Sequence, residues 1–200
     1  MFIQVIEGRT ERPEELHERL EIWQRDLMPG AIGYLGSTGG CTSSGDCILI
    51  ARFESRDAAQ RNSDRPEQGA WWAETEKCFD GPVRFHDTDD VQLMNHGELD
   101  SAHFVQVMEG HVSDRTKLAE LEEQADPILA ELRPDLLGSV TAYFGDGEFT
   151  EVAYFTSEDA ARKAERGEMP ERFGSMFAEW ERLMKVEKYI DIKDPWLVSA

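Results

Sequence analysis

Positive charge is scarce in this chain. It carries 21 Lys and Arg against 41 Asp and Glu over 200 residues, a formal net charge of −20. Such a surface repels phosphate backbones and anionic lipid, which argues against nucleic acid and membrane surfaces as partners. Long apolar runs are absent too: none approaches the roughly 20 residues of a membrane-spanning helix. The first residues, MFIQVIEGRT, pass straight into a strand-like pattern with no basic segment or cleavage site, so no signal peptide and a cytoplasmic location are expected. Cysteine is limited to Cys41, Cys47 and Cys78, an odd number without a C-x-x-C, which disfavours a zinc site or a disulfide framework. Cys41 and Cys47 flank TSSGD and could face each other across a hairpin; in a reducing cytosol all three are expected as free thiols. No glycine-rich phosphate loop, metal-ligand cluster or Ser-His-Asp arrangement stands out, and neither cofactor nor metal is expected.

Apolar residues are ample, at 40% with 10% aromatics, enough to build a core. The chain is also written twice. FIQVIEG at 2–8 returns as FVQVMEG at 104–110, LGST at 35–38 as LGSV at 137–140, and ARFESRDAAQR at 51–61 as AYFTSEDAARK at 153–163, all at an offset of 102. The second copy then gains two residues around Arg166–Met169, so that RPE at 65–67 meets MPE at 169–171. This marks a tandem duplication, with units expected at 1–94 and 103–200 and NHGELDSA at 95–102 as the polar joint.

Each half has the same coarse order. Phe2–Glu7 reads as a strand, and Pro13–Leu27, with Leu16, Leu20, Trp23 and Leu27, as a helix. Strands follow at Ile32–Cys41 and Cys47–Glu54 around a turn. Ser55 and Ser157 are candidate N-caps of a second helical region that breaks near Asn62–Pro66 and resumes through Trp71 and Trp72. Val83–Asp87 and Glu187–Ile192 close the halves as strands. The order β-α-β-β-α-β, twice, predicts an α+β fold of two ferredoxin-like units in one chain. A sheet with both helices on one face needs cover on the other, which predicts the two sheets packed on each other as a pseudo-dimeric α+β barrel.

By its element order, its length, the FIQVIEG-type first strand and the aromatic second helix, nearly the whole chain resembles the antibiotic biosynthesis monooxygenase-like family of the dimeric α+β barrel superfamily. The resemblance implies a pocket between sheet and helices in each half. It also implies one of the activities found there: cofactor-independent oxygenation of aromatic polyketides, haem degradation or roles not yet known. Haem-degrading members resemble an Asn–Trp–His set; here the first strand offers Gln4 and no Asn.

The two copies act as a built-in control, because a departure in one copy asks for a reason beyond the fold. At the later offset of 104, Trp72 meets Met176 and Trp71 meets Ser175. Trp72 and Phe79 form a core stripe; Trp71, Thr75 and Cys78 form the adjacent one. Trp71 is then the surplus ring, lining a pocket wall or sealing the core edge, and a slip of one residue would exchange the two roles. His86 stands where the second copy has Ile190, so it is either a satisfied core histidine or a proton-transferring one. Gln4 recurs as Gln106, which suggests a structural role or a ligand contact. Asn62 and Arg65, where the helical region breaks, could rim a pocket mouth.

Three functions compete. The first is a cofactor-independent monooxygenase-like enzyme acting on an aromatic or polycyclic small molecule in a pocket of the first half. There Trp71, Trp72, Cys78, Asn62, Arg65 and Gln4 would bind substrate and His86 would move a proton. The second is a non-catalytic small-molecule binding or stress-response protein. The third is a haem-binding protein with His86 as ligand. A homodimer of the tandem chain is a further expectation.

Overall fold

The computed structural model describes residues 1–167 and 170–199. The two-residue gain of the second copy therefore falls partly outside the described residues. Ten strands and six helices follow one another as β1 (Phe2–Arg9), α1 (Pro13–Asp26), β2 (Tyr34–Cys41), β3 (Asp46–Phe53), α2 (Arg56–Ser63), α3 (Pro66–Thr75), β4 (Arg84–Thr88) and β5 (Val91–Asn95), then β6 (Phe104–Val112), α4 (Arg115–Leu132), β7 (Leu136–Tyr143), β8 (Glu148–Phe155), α5 (Glu158–Glu165), α6 (Glu171–Leu183), β9 (Met184–Ile192) and β10 (Trp196–Ser199). They make two five-stranded sheets, ordered β10-β2-β3-β1-β4 and β5-β7-β8-β6-β9. Without its first strand, each is the four-stranded ferredoxin-like sheet, so the fold is α+β with two such units.

The duplication is visible in the register. Phe2 pairs with Phe53 and Gln4 with Ala51, as Phe104 pairs with Phe155 and Gln106 with Ala153. Ser55 and Ser157 each accept a hydrogen bond from the backbone N–H three residues on, at 3.2 Å, and so start α2 and α5. Pro66 opens α3 where α2 has just ended, at the expected break.

Two strands were not foreseen. β5 and β10 add an edge to the sheets, and they change where the units divide. The first unit comprises 1–91 and 194–199, the second 92–193. The segment 95–102, expected as a joint, instead continues β5 at Asn95 and forms a short 3-10 turn at Leu99–Ser101. The repeated LGS explains how the edges attach. β2 and β7 both shift register at this point, and Gly36 and Gly138 take φ of +136° and +153°. A Cβ on Gly36 would sit 2.6 Å from the Val198 carbonyl oxygen, and one on Gly138 2.3 Å from that of Met94. Only glycine lets the added strand approach.

Cys41 and Cys47 correct another expectation. They are directly opposed across the β2–β3 hairpin, with Cα atoms 4.1 Å apart, and they form a disulfide. A reducing cytosol was the premise for free thiols; the hairpin register overrides it by holding the two side chains together. Cys78 is a buried free thiol. The disulfide closes a short loop, so replacing both cysteines by serine is expected to lower stability by about 2 kcal/mol in the chain-entropy account. Denaturant titration of the double variant measures this. Alkylation of all three thiols in unfolded, unreduced protein would show that the bond does not form.

Candidate functional sites in the two units

Strand alternation decides which residues meet in the first unit. Phe2, Gln4 and Ile6 alternate with Ile3 and Val5, and the pairing carries that division across to β3 and β4. The face bearing Gln4 is the one that α1 and α3 cover. Between them lies a cavity of about 320 Å³. Trp23, Tyr34, Phe53, Trp71 and Trp196 contribute aromatic wall, while Gln4, Asn62 and Gln68 contribute amides. Its charged or titratable lining among the described residues includes the exposed Glu21, the Tyr34 hydroxyl, which donates to Ser37 Oγ at 2.7 Å, and the half-buried His17, which stacks on Trp196 at 4.7 Å.

Local hydrogen bonds fix this wall. Trp23 Nε1 donates to Gln68 Oε1 at 2.7 Å, and Trp71 Nε1 donates to the Arg19 carbonyl at 2.7 Å. Arg65 Nη1 donates both to the Leu27 carbonyl and to Asn62 Oδ1, each at 3.0 Å. Because guanidinium only donates, the Asn62 amide oxygen must face Arg65 and its Nδ2 the other way. Asn62 is 6% exposed, and neither its Nδ2 nor the Gln4 amide has a hydrogen-bond partner among the described residues.

Of the expected site residues, Gln4, Asn62 and Trp71 come together on this cavity, and four do not. Arg65 sits behind Asn62 and holds it. Cys78 is buried in the core beside Leu16 and Phe79, where desolvation raises its thiol pKa. Trp72 packs on Phe79 and on the exposed Phe85, with ring centres 6.4 and 5.2 Å apart. His86 lies across from Val5 on the other sheet face, half-exposed, with Nε2 3.9 Å from Glu7 Oε2. The alternation that made it the counterpart of Ile190 also turns it away from the cavity. Burial of the two tryptophans is the reverse of the expected one: Trp71 is 9% exposed and Trp72 only half-buried. The stripe of Trp71, Thr75 and Cys78 is the inward one.

The second unit has a larger cavity, of about 600 Å³, on the corresponding face. Phe155, Phe177, Trp180, Met108 and Met184 form its apolar wall, with the Phe177 and Trp180 rings stacked 5.7 Å apart. Its polar wall is charged. Gln106 Nε2 donates to Asp191 Oδ1 at 2.8 Å, Arg162 bonds both Asp191 and Glu165, and Arg133 forks onto Asp135 at 2.8 and 3.0 Å. Gln4 and Gln106 thus share a strand position but not an environment.

Glu151 also lines this second cavity, at 9% exposure on β8. It stands directly between Met108 on β6 and Thr141 on β7. Desolvation raises its pKa to about 7, against a lowering contribution from the nearby Ser139 hydroxyl and with a further rise from the Glu122 charge. Glu122 is itself raised by desolvation, with Tyr143 Oη donating to it at 3.1 Å and Arg115 3.6 Å away. The first-copy counterpart of Glu151 is Leu49. The comparison of copies that singled out His86 would have found this substitution had it been carried along β3 and β8.

No family model matches the chain, and no curated protein matches it. Solved structures do. A putative monooxygenase of Fusobacterium nucleatum superposes with a TM-score of 0.75 at 10% identity, covering 99% of this chain and 94% of that one. The chain has a monooxygenase-like fold. A putative monooxygenase from Lactobacillus acidophilus gives 0.69 at 15% identity over 98% and 92% of the chains. An anthrone oxidase-like protein gives 0.63 at 10% identity over 100% and 91%. At such identities the likeness speaks for the fold alone, and both units are included in it. Among the described residues no helix is long and apolar enough to cross a membrane.

Proposed function

We propose that the chain is a monooxygenase-like enzyme acting on a neutral aromatic or polycyclic small molecule held in the first-unit cavity. The observation that carries this reading is the pairing of an aromatic wall with the unpartnered Asn62 Nδ2. Rings of the wall would stack on a planar ligand, and a carbonyl or phenolic oxygen would satisfy the amide. The volume of about 320 Å³ lies at the low end of ligand pockets, so the ligand is small and planar. In cofactor-independent oxygenation an activated methylene loses a proton, and its carbanion reduces dioxygen. The net change, R–CH2–R plus O2 to R–CO–R plus water, needs no outside reductant.

A non-catalytic binding protein is the second reading. It is favoured by the position of His86, which removes the expected proton acceptor from the cavity. The same position leaves a haem-binding role without its proposed ligand in this cavity.

Anthrone is the apt probe, since a structural neighbour is an anthrone oxidase-like protein. Anaerobic titration should quench tryptophan fluorescence saturably, and Asn62→Leu should weaken binding about tenfold, the worth of one hydrogen bond. Admitting oxygen should then yield the quinone. Binding without turnover would favour the second reading. Absence of saturable quenching, or equal affinity in the variant, would remove the first-unit site.

A further inference from the structure

We propose that Glu151 is a general base in the second-unit cavity, taking a proton from the benzylic α-carbon of a neutral ketone that carries an aromatic ring next to that carbon. The residues lining this cavity are distinct from those of the first, so the inference stands apart from the reading above.

Three observations converge on it. The duplicated register places a carboxyl where the first copy keeps a leucine, so the fold itself does not require one. The carboxyl is buried yet belongs to the wall of a ligand-sized space, beside stacked Phe177 and Trp180. The Ser139 hydroxyl, on the adjacent strand, is the neighbouring group that lowers its pKa, and no cation is bonded to it among the described residues. A buried carboxylate without a cation is costly, and natural cores seldom retain one without use.

The charges around it select the substrate. From α4, Glu122 with its partner Arg115 faces Glu151, and Tyr143 approaches from β7. Across the cavity stand Arg133, Arg162 and Glu165, with Glu181 on α6 and Asp191 on β9. Arg133 and Arg162 are already engaged by Asp135 and by Asp191 with Glu165. The wall is therefore acidic on balance, which repels carboxylate and phosphate ligands and admits uncharged ones.

In the step itself the Glu151 carboxylate takes the α-proton, the C–H electron pair moves into the carbonyl to form an enolate, and the carboxyl returns a proton to the same carbon. Atoms and electrons balance without an oxidant. In deuterated water the returned proton is a deuteron, so exchange reports the step.

The test uses 2-tetralone and the full-length protein, with exchange at the α-carbon followed by proton NMR. Saturable exchange is expected, rising with pH and levelling above about pH 7, where Glu151 is ionised. Glu151→Gln should lower the rate at least about a hundredfold while keeping the native circular dichroism. Glu151→Leu, which restores the first copy's residue, should do the same. No saturable exchange by the wild type, a flat pH profile, or a Glu151→Gln rate within a factor of two of the wild type would each overturn the proposal.

Discussion

Trp71→Ala should lower the stability of the protein by roughly 3–5 kcal/mol, the range for emptying a large buried aromatic site. The indole is 9% exposed, lies 6.4 Å from Trp23 and 6.0 Å from Trp72 by ring centres, and donates to the Arg19 carbonyl of α1. Truncation would remove this packing and leave that carbonyl without its indole donor. Trp72→Ala should cost less, about 1–2 kcal/mol, because its ring is half-exposed and packs partly on the exposed Phe85. Chemical denaturation of both variants measures the difference. The sequence alone suggests the opposite order, so the inverse result would mean that the helix is rotated by one residue from the position described.

Glu151→Leu should change stability in a way that depends on pH. A carboxyl whose folded pKa is raised keeps its proton in the native state while the unfolded chain ionises. With an ordinary value of 4.5 and a folded value of about 7, native Glu151 costs nothing below about pH 4.5. Its cost grows as pH rises from there to about 7 and is constant beyond. The full difference is about 3 kcal/mol at 1.36 kcal/mol per pKa unit. The leucine variant carries no such cost. Its stability relative to the wild type should therefore improve by that amount between acid and mildly alkaline pH, whatever fixed packing difference it also carries. Denaturant midpoints at several pH values show this; a difference independent of pH would mean that the folded carboxyl titrates normally.

The fold was legible because duplication and periodicity reinforce each other. Three repeated segments gave the offset, alternation through FIQVIEG gave a two-faced strand, and the serines at 55 and 157 marked the helix starts. The two edge strands were not legible. VQLMN and WLVS are five and four residues long, too short for alternation to show, and their signal lay instead in the glycine of each LGS. The site was legible in part. Gln4, Asn62 and Trp71 reach one cavity from three elements, which composition at a break or on a strand can hint at. The orientation of His86 required the register of β1 with β4, which single-strand reading does not supply. Trp71 and Trp72 differ by about 100° around one helix, so the assignment hung on which stripe α1 covers, a tertiary fact. Glu151 was missed for a different reason: the paired segments compared began at Ala51 and Ala153, just beyond it.

The return of β10 to the first sheet has a topological consequence. A tandem repeat in sequence has become an insertion in space. The second unit is one uninterrupted stretch, 92–193, whereas the first is assembled from both ends of the stretch that surrounds it. Excision of the second unit alone is then a single continuous clone. A stand-alone first unit instead needs Val91 joined to Asp194 so that Trp196 and Val198 remain beside Gly39 and Ser37. A gene cut at the midpoint of the repeat would deprive that unit of an edge strand and its cavity of the Trp196 wall. For this protein the unit of duplication and the compact unit in space are different segments of chain.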